Sequence, residues 1–276
     1  MTINCKGQLI DLSLPKVMGI LNVTPDSFHD GGQYKDESSI LKQVEMMLTE
    51  GATFIDIGGY SSRPGADFVT EDEELNRVIP VIELVLKYFP ETLVSVDTFR
   101  SNVAKKSIKA GAALINDISA GHLDEDMTST IGKLGVPYIM MHMRGNPKTM
   151  QQQTDYDDLI KNINSYFAEH IAKAQTEKIN DLIIDPGFGF AKTLEQNYEL
   201  LNKMQLLQIA DKPILVGVSR KSMIYKTLNT TSENALNGTT ALHMVALEKG
   251  ANILRVHDVK EAMECVILHN QLKLRK

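Results

Sequence analysis

Short apolar runs alternate with helix-period stripes along the whole chain. The first run, Val17-Met18-Gly19-Ile20-Leu21, turns polar at Asn22 and opens into a loop rich in turn formers, through Asp30-Gly31-Gly32. Ile40, Val44, Met47 and Leu48 then mark one face of a helix that Gly51 stops. Phe54–Ile57 runs into Gly58-Gly59 and a second long loop, Tyr60–Ala66. Thr70 and Glu73 have the spacing of a capping box before a helix carrying Leu75, Val78, Ile79, Ile82 and Leu86. Pro80 is expected to kink that helix, because proline removes a backbone donor.

The alternation continues to the end. Leu93–Val96 ends at Asp97, and Ser101 is expected to cap the helix that Gly111 closes. Leu114-Ile115 ends at Asn116-Asp117, and a helix from about Asp124 stops near Gly135. Tyr138–Met141 ends at His142 and is followed by a third long loop and a helix with Leu159, Ile163, Phe167 and Ile171. Leu182–Ile184 ends at Asp185, and Thr193 with Gln196 caps the next helix. Ile214–Val218 ends at Ser219-Arg220-Lys221, ahead of a helix over Ala235–Glu248. Ile253-Leu254 leads to Arg255 and His257, and Asp258 with Glu261 is expected to cap the last helix.

A weak repeat underlies this order. Gly-Ala precedes three strands, at Gly51, Gly111 and Gly250, and the fifth residue after each glycine is polar: Asp56, Asn116 and Arg255. Each strand is a nearly continuous apolar run, as in a parallel sheet covered on both faces. Eight strands, each followed by a helix, predict a TIM (β/α)8 barrel spanning 1–276 as a single domain. A short N-terminal β-hairpin is expected around Lys6-Gly7. A doubly wound open sheet is the alternative, but no strand is followed by a Gly-x-Gly-x-x-Gly turn.

Composition narrows the class. A chain of 276 residues can bury roughly three quarters of its unfolded surface. The net charge of −6 offers no basic surplus for nucleic acid or an anionic membrane. Two cysteines, Cys5 and Cys265, form neither a disulfide framework nor a metal motif, which fits a reducing, cytoplasmic setting. No secretory signal pattern or membrane-length apolar run is present.

In a TIM barrel the C-terminal strand ends share one site. Here they bring Asn22, Asp97, Asn116, His142, Asp185, Lys221, Arg255 and His257 to that mouth. Singly, an Asp or Asn after a strand is as often a helix cap, and Asp56 inside its strand can be a satisfied core carboxylate. The set divides by chemistry. Asp97, Asn116 and Asp185 suit a ligand edge with several N–H donors, because an unpaired buried polar group costs about 1–3 kcal/mol. Lys221, Arg255, His257 and Arg63 suit an anion, and Asn22 with Asp30 offers oxygen to a hard cation. These residue types describe an anionic nitrogen heterocycle and leave the reaction open.

Seven stretches, in order, resemble the dihydropteroate synthase family over essentially the whole chain: GILNVTPDSF (Gly19–Phe28), DIGGYSSRPGA (Asp56–Ala66), VSVDTFR (Val94–Arg100), INDISAG (Ile115–Gly121), IDPGFGFAKT (Ile184–Thr193), VGVSRKS (Val216–Ser222) and RVHDV (Arg255–Val259). The resemblance implies a TIM barrel that condenses 4-aminobenzoate with 7,8-dihydropterin-6-ylmethyl diphosphate in folate biosynthesis and is a sulfonamide target. It implies pterin binding by Asp97, Asn116, Asp185, Lys221 and Arg255, with the Arg255 guanidinium stacked on the ring. Diphosphate falls to Asn22, Ser62, Arg255 and His257. The aminobenzoate falls to Phe28, Ser62, Arg63, Pro64, Phe190, Lys221 and Ser222. Mg²⁺ is expected on Asn22, with Asp30 acting indirectly, and Thr24–Gly32 is expected to close as a lid. A homodimer is expected, since the family is commonly dimeric. Ser62 stands where threonine is frequent and keeps the hydroxyl; Tyr60 stands where glutamate is common and bears on the second loop. A corrinoid-linked pterin methyltransferase and an inactive pterin-binding paralogue are the alternatives; a Schiff-base aldolase built on Lys221 is weaker.

Overall fold

The computed structural model describes residues 1–23, 33–60 and 68–274, without the side chains of 33–36. β1 (Thr2–Cys5) and β2 (Gln8–Asp11) form an antiparallel hairpin. Its two turn residues, Lys6 and Gly7, both have positive φ (54° and 86°), which matches the twist of a two-residue hairpin. Eight strands follow: β3 (Lys16–Asn22), β4 (Phe54–Gly58), β5 (Leu93–Asp97), β6 (Leu114–Asp117), β7 (Tyr138–Met141), β8 (Leu182–Asp185), β9 (Leu215–Val216) and β10 (Ile253–Val256). They pair in parallel from β3 through β8, with β10 against β3 and β9 against β10. A parallel bridge from Ile184 to Ile214 joins β8 to the start of β9 and closes the barrel.

The helices are α1 (Gln33–Thr49), α2 (Glu71–Tyr88), α3 (Ser101–Lys109), α4 (Met127–Leu134), α5 (Leu159–Thr176), α6 (Leu194–Lys203), α7 (Ser222–Thr227), α8 (Leu236–Glu248) and α9 (Val259–Lys273). Every barrel strand is followed by at least one of them, as the alternation predicts. No described helix is long and apolar enough to cross a membrane.

Period-two alternation splits each strand into two faces. Val17, Leu21, Ile55, Ile57, Val94, Val96, Ile115, Tyr138, Ile184 and Val256 point outward and pack with the helices. The inward face changes character along the barrel. At its base, each of the eight strands gives one apolar residue: Met18, Phe54, Leu93, Leu114, Ile139, Ile183, Leu215 and Ile253. Ile3, Cys5 and Ile10 of the hairpin, with Leu12, pack into this same cluster and plug the barrel. Asn252 fastens the plug, donating to Leu12 O (2.9 Å) while its Oδ1 accepts from Ile214 N (2.9 Å). Above the plug the inward residues are mostly polar, including Asp56, Ser95, Asp97 and Asn116. The run of apolar letters conceals this change because the outward residues stay apolar throughout.

Several local expectations need correction. Thr70 does cap α2 through Glu73 N, but the Glu73 carboxylate pairs with Arg77, so the box is one-sided. Pro80 lies within α2 and does not end it. Ser101 is not the cap of α3; Arg100 holds that position, and Ser101 N donates to Asp124 Oδ2 (2.7 Å) instead. Asp258 precedes α9 without capping it, because both its oxygens accept from Arg220 (2.8 Å each). Thr193 and Gln196 form the full reciprocal box. β9 is shorter than expected, since the chain turns where Lys221 N reaches Val218 O (3.1 Å).

The loop after β8 is held by a buried lysine. Lys192 is 3% exposed and donates to Gly187 O and Phe190 O and meets His142 Nδ1, each at 3.0 Å. Gly187 has no alternative there: its φ is +71°, and a Cβ would lie 2.1 Å from His142 O. Burial, then the Lys192 charge, holds the His142 ring well below its ordinary range, so neutral imidazole can accept from the ammonium. Burial pulls Lys192 itself down to about 7, with Asp185 opposing.

The unfolded chain therefore binds this proton more tightly than the folded one. The penalty is complete below pH 7 and lifts as pH rises toward the ordinary lysine value. Between about pH 7 and 9.5, Lys192 should add stability at up to about 1.4 kcal/mol per pH unit. Denaturant titrations of the parent and Lys192→Met should diverge with that slope; parallel pH profiles would refute the assignment.

Candidate active site

The polar inner layer meets at the C-terminal mouth of the barrel. Strand register sets its geometry: Asn22, Gly58, Asp97 and Asn116 are successive partners across β3, β4, β5 and β6. Gly58 has no side chain between Asn22 and Asp97; a Cβ there would lie 3.6 Å from Asp97 Cβ and 3.7 Å from Asn22 Oδ1. One layer lower, Asp56 lies between Ile20 and Ser95.

Arg255 crosses this space from β10. Its Nε donates to Asp56 Oδ2 (2.6 Å) and its Nη2 to Asp97 Oδ2 (2.8 Å). Asn116 Nδ2 donates to the same Asp56 oxygen (3.1 Å). Burial opposes the Arg255 charge, yet Asp56 and Asp97 more than offset it and hold its pKa raised. Burial pushes Asp97 up to about 7; Arg255 opposes the rise and Asp56 adds to it. The bland reading of Asp56, a satisfied core carboxylate, is therefore incomplete: it touches two residues of the mouth. Arg255 does not stand as a free planar cation, since its guanidinium is engaged in these two ion pairs.

The second wall comes from β8 and β9. Asp185 is buried and accepts from Gly187 N through Oδ1 (2.7 Å). Burial raises its pKa, and Lys221 is the largest opposing charge. Lys221 Nζ donates to Phe188 O (2.5 Å) and sits 5.0 Å from the centre of the Phe190 ring. Phe190 packs beside Met143, Met150 and Ala191. His257 Nδ1 meets Ser219 Oγ at 3.0 Å, and Ser222 begins α7 directly after Lys221.

Asp97, Asn116, Asp185, Lys221, Arg255, Asn22, His257, Phe190 and Ser222 thus lie on the strand ends or loops of one barrel face. Phe28, Asp30, Ser62, Arg63, Pro64 and the expected lid Thr24–Gly32 lie outside the described residues. His142 is a strand end of another kind, turned to Lys192 and packed edge-on to Tyr166 (4.8 Å). Asp117 is also structural, accepting from Ser119 N, Ser119 Oγ, Gly121 N and Tyr138 OH. Lys192 was missed as a support, although a lone lysine inside the Gly/Phe/Ala loop GFGFAK is a visible signal. Arg220 was masked by its neighbour Lys221. Tyr60 packs edge-on to Phe99 (5.4 Å), while Arg100 lies over the Tyr60, Phe68 and Phe99 rings and pairs with Glu74. That cluster flanks the second loop on both sides.

Among the described residues no three His, Cys, Asp or Glu side chains form a metal-binding group. Asn22, an oxygen donor at the end of β3, suits a different arrangement, in which a hard ion takes most of its oxygens from water and a bound phosphate.

The chain resembles known proteins over nearly its full length. The pterin binding enzyme family matches residues 18–257. Dihydropteroate synthase of Escherichia coli is 46% identical over 269 residues, 96% of this chain and 94% of that protein. The Haemophilus influenzae dihydropteroate synthase is 42% identical, covering 94% of each. A Yersinia pestis dihydropteroate synthase in a sulfonamide drug complex superposes with a TM-score of 0.93 at 44% identity, covering 99% of this chain and 100% of that one. A Xanthomonas albilineans dihydropteroate synthase with 4-aminobenzoic acid gives 0.91 at 37% identity, covering 99% and 98%. With a matching barrel and this breadth of identity, the chain belongs to the dihydropteroate synthases of the pterin binding enzyme family.

Proposed function

We propose that this protein joins 4-aminobenzoate to 7,8-dihydropterin-6-ylmethyl diphosphate, forming 7,8-dihydropteroate and diphosphate, with the strand-end residues in the roles that follow. The observation that carries the reading is the pairing of acceptors and cations at one mouth. Asp97, Asn116 and Asp185 accept from the donor-rich pterin edges, and Lys221 carries its charge near Asp185 and over the Phe190 ring. A carboxylate accepts such an amidine-like edge much as it accepts arginine. The aminobenzoate is assigned to Phe190, Lys221 and Ser222, and by family resemblance to Phe28, Ser62, Arg63 and Pro64.

We assign the diphosphate to Asn22, Ser62, Arg255 and His257; Asn22 would hold Mg²⁺, with Asp30 acting indirectly. When bound, Mg²⁺ supplies positive charge to the departing diphosphate. The protein groups act on the other half of the reaction. Breaking the C–O bond leaves the methylene carbon electron-poor. Asp97 and Asp185 as anions favour positive charge shared between that carbon and the dihydropterin ring. The arylamine nitrogen then forms the new C–N bond and loses a proton. It is nucleophilic when neutral, so the chain needs no strong base at this point.

A homodimer and a cytoplasmic setting complete the proposal. Val245 of α8 and Ile267, Leu268 and Leu272 of α9 are exposed, giving these paired helices an apolar outer surface suited to a second copy. Both cysteines are free and buried, in keeping with a reducing compartment.

Diphosphate release should require both substrates and a divalent cation, and Lys221→Ala or Asp185→Ala should lower it by at least about 100-fold with the fold retained. Near-parental kinetics in both variants would sink the site assignment. Since Asp97 accepts best as an anion, affinity for 6-hydroxymethylpterin should fall as pH drops below about 7. A flat titration from about pH 5.5 to 8 would remove Asp97 from this role. Light scattering should give a dimer mass that Ile267→Asp lowers to a monomer; a monomeric parent protein would exclude the interface.

A further inference from the structure

Asp56 lies just beneath the residues assigned to the pterin. It is fully buried in β4, and its Oδ2 takes both Arg255 Nε (2.6 Å) and Asn116 Nδ2 (3.1 Å). Its Oδ1 is buried and has no hydrogen-bond partner among the described residues. An ionised carboxylate has lone pairs and no donor, so the end of the Asn116 amide that faces Asp56 must be its nitrogen. The carbonyl oxygen of Asn116 is thereby turned to the other side. An asparagine alone can meet a ligand with either end. An asparagine held by its nitrogen is fixed in orientation, with its carbonyl oxygen offered as an acceptor on the side away from Asp56.

The same constraint reaches Asp97 through Arg255. With Nε on Asp56, the guanidinium plane spans the barrel from β10, and its Nη2 lands on a single oxygen of Asp97 (2.8 Å). Asp97 and Asp185 as anions, together with the Asn116 carbonyl, then present acceptors to the pocket.

We propose that Asp56 is a positioning residue that sets the hydrogen-bonding polarity of this pocket, fixing Asn116 and Arg255 so that the pocket selects a heterocycle edge bearing N–H donors. The inference rests on the pterin reading of the pocket and adds what enforces its selectivity. A site built to accept from a ligand N–H rejects an analogue that offers a carbonyl there, because two acceptors then face each other. If Asp56 loses its charge, the amide of Asn116 is free to turn over, and a carbonyl-bearing analogue regains a partner.

The test compares 6-hydroxymethylpterin with 6-hydroxymethyllumazine, which carries a carbonyl where the pterin carries its exocyclic amine. Both are titrated by fluorescence into the full chain and into Asp56→Asn and Asp56→Ala. The parent protein should prefer the pterin by at least about 100-fold. Asp56→Asn, which matches the shape and removes the charge, should narrow that preference at least 10-fold, mostly by weakening the pterin, and Asp56→Ala should narrow it further. The KM for 4-aminobenzoate should move less than 3-fold. An unchanged preference, or an equal loss for both ligands, overturns the proposal. If neither variant folds, Asp56 is structural and the proposal also fails. A parent protein that binds neither ligand would instead sink the pterin reading itself.

Discussion

One guanidinium between two carboxylates organises the centre of this protein. Arg255 links β10 to Asp56 on β4 and Asp97 on β5, inside a barrel whose base is apolar. Breaking a buried pair of this kind by removing one partner costs about 3–5 kcal/mol. Replacing such groups with well-packed apolar residues is often neutral or stabilising, so stability alone does not explain them. Their value lies in direction. Two acids and one base leave a surplus of acceptor oxygen facing the mouth, which a donor-rich ligand can meet.

The barrel divides its labour along its axis. The base is closed by one apolar residue from every strand and by the N-terminal hairpin. The opposite end carries the chemistry, as TIM barrels do. Lys192 belongs to neither layer. It bonds two carbonyls of the loop between Asp185 and Phe190 and ties that loop to the end of β7. A loop whose glycines adopt positive φ thereby gains a rigid core without a helix or strand.

Much of this was legible in the sequence. Strand and helix order survived translation into structure because burial on both faces of a parallel sheet forces apolar runs, and glycine stops punctuate them. The candidate residues were visible because they end those runs. What failed was the assignment of partners. Asp258 and Ser101 are of the right type for helix caps, yet Arg220 engages both oxygens of Asp258, and Asp124 accepts from the Ser101 N–H at the start of α3. Asp56 looked internal because its neighbours Ile55 and Ile57 face the helices, whereas its own side chain faces the axis. Linear spacing records which face a residue occupies and does not record which charge meets it there.

The acidity of Asp97 has a consequence for energetics. A carboxyl held near 7 carries a fraction of a proton at neutral pH, and the role proposed for Asp97 uses its anion. Filling the pocket therefore expels a fraction of a proton into solvent. The heat of binding must then include the ionisation heat of whatever buffer receives that proton. Occupancy is thereby coupled to the medium's protons.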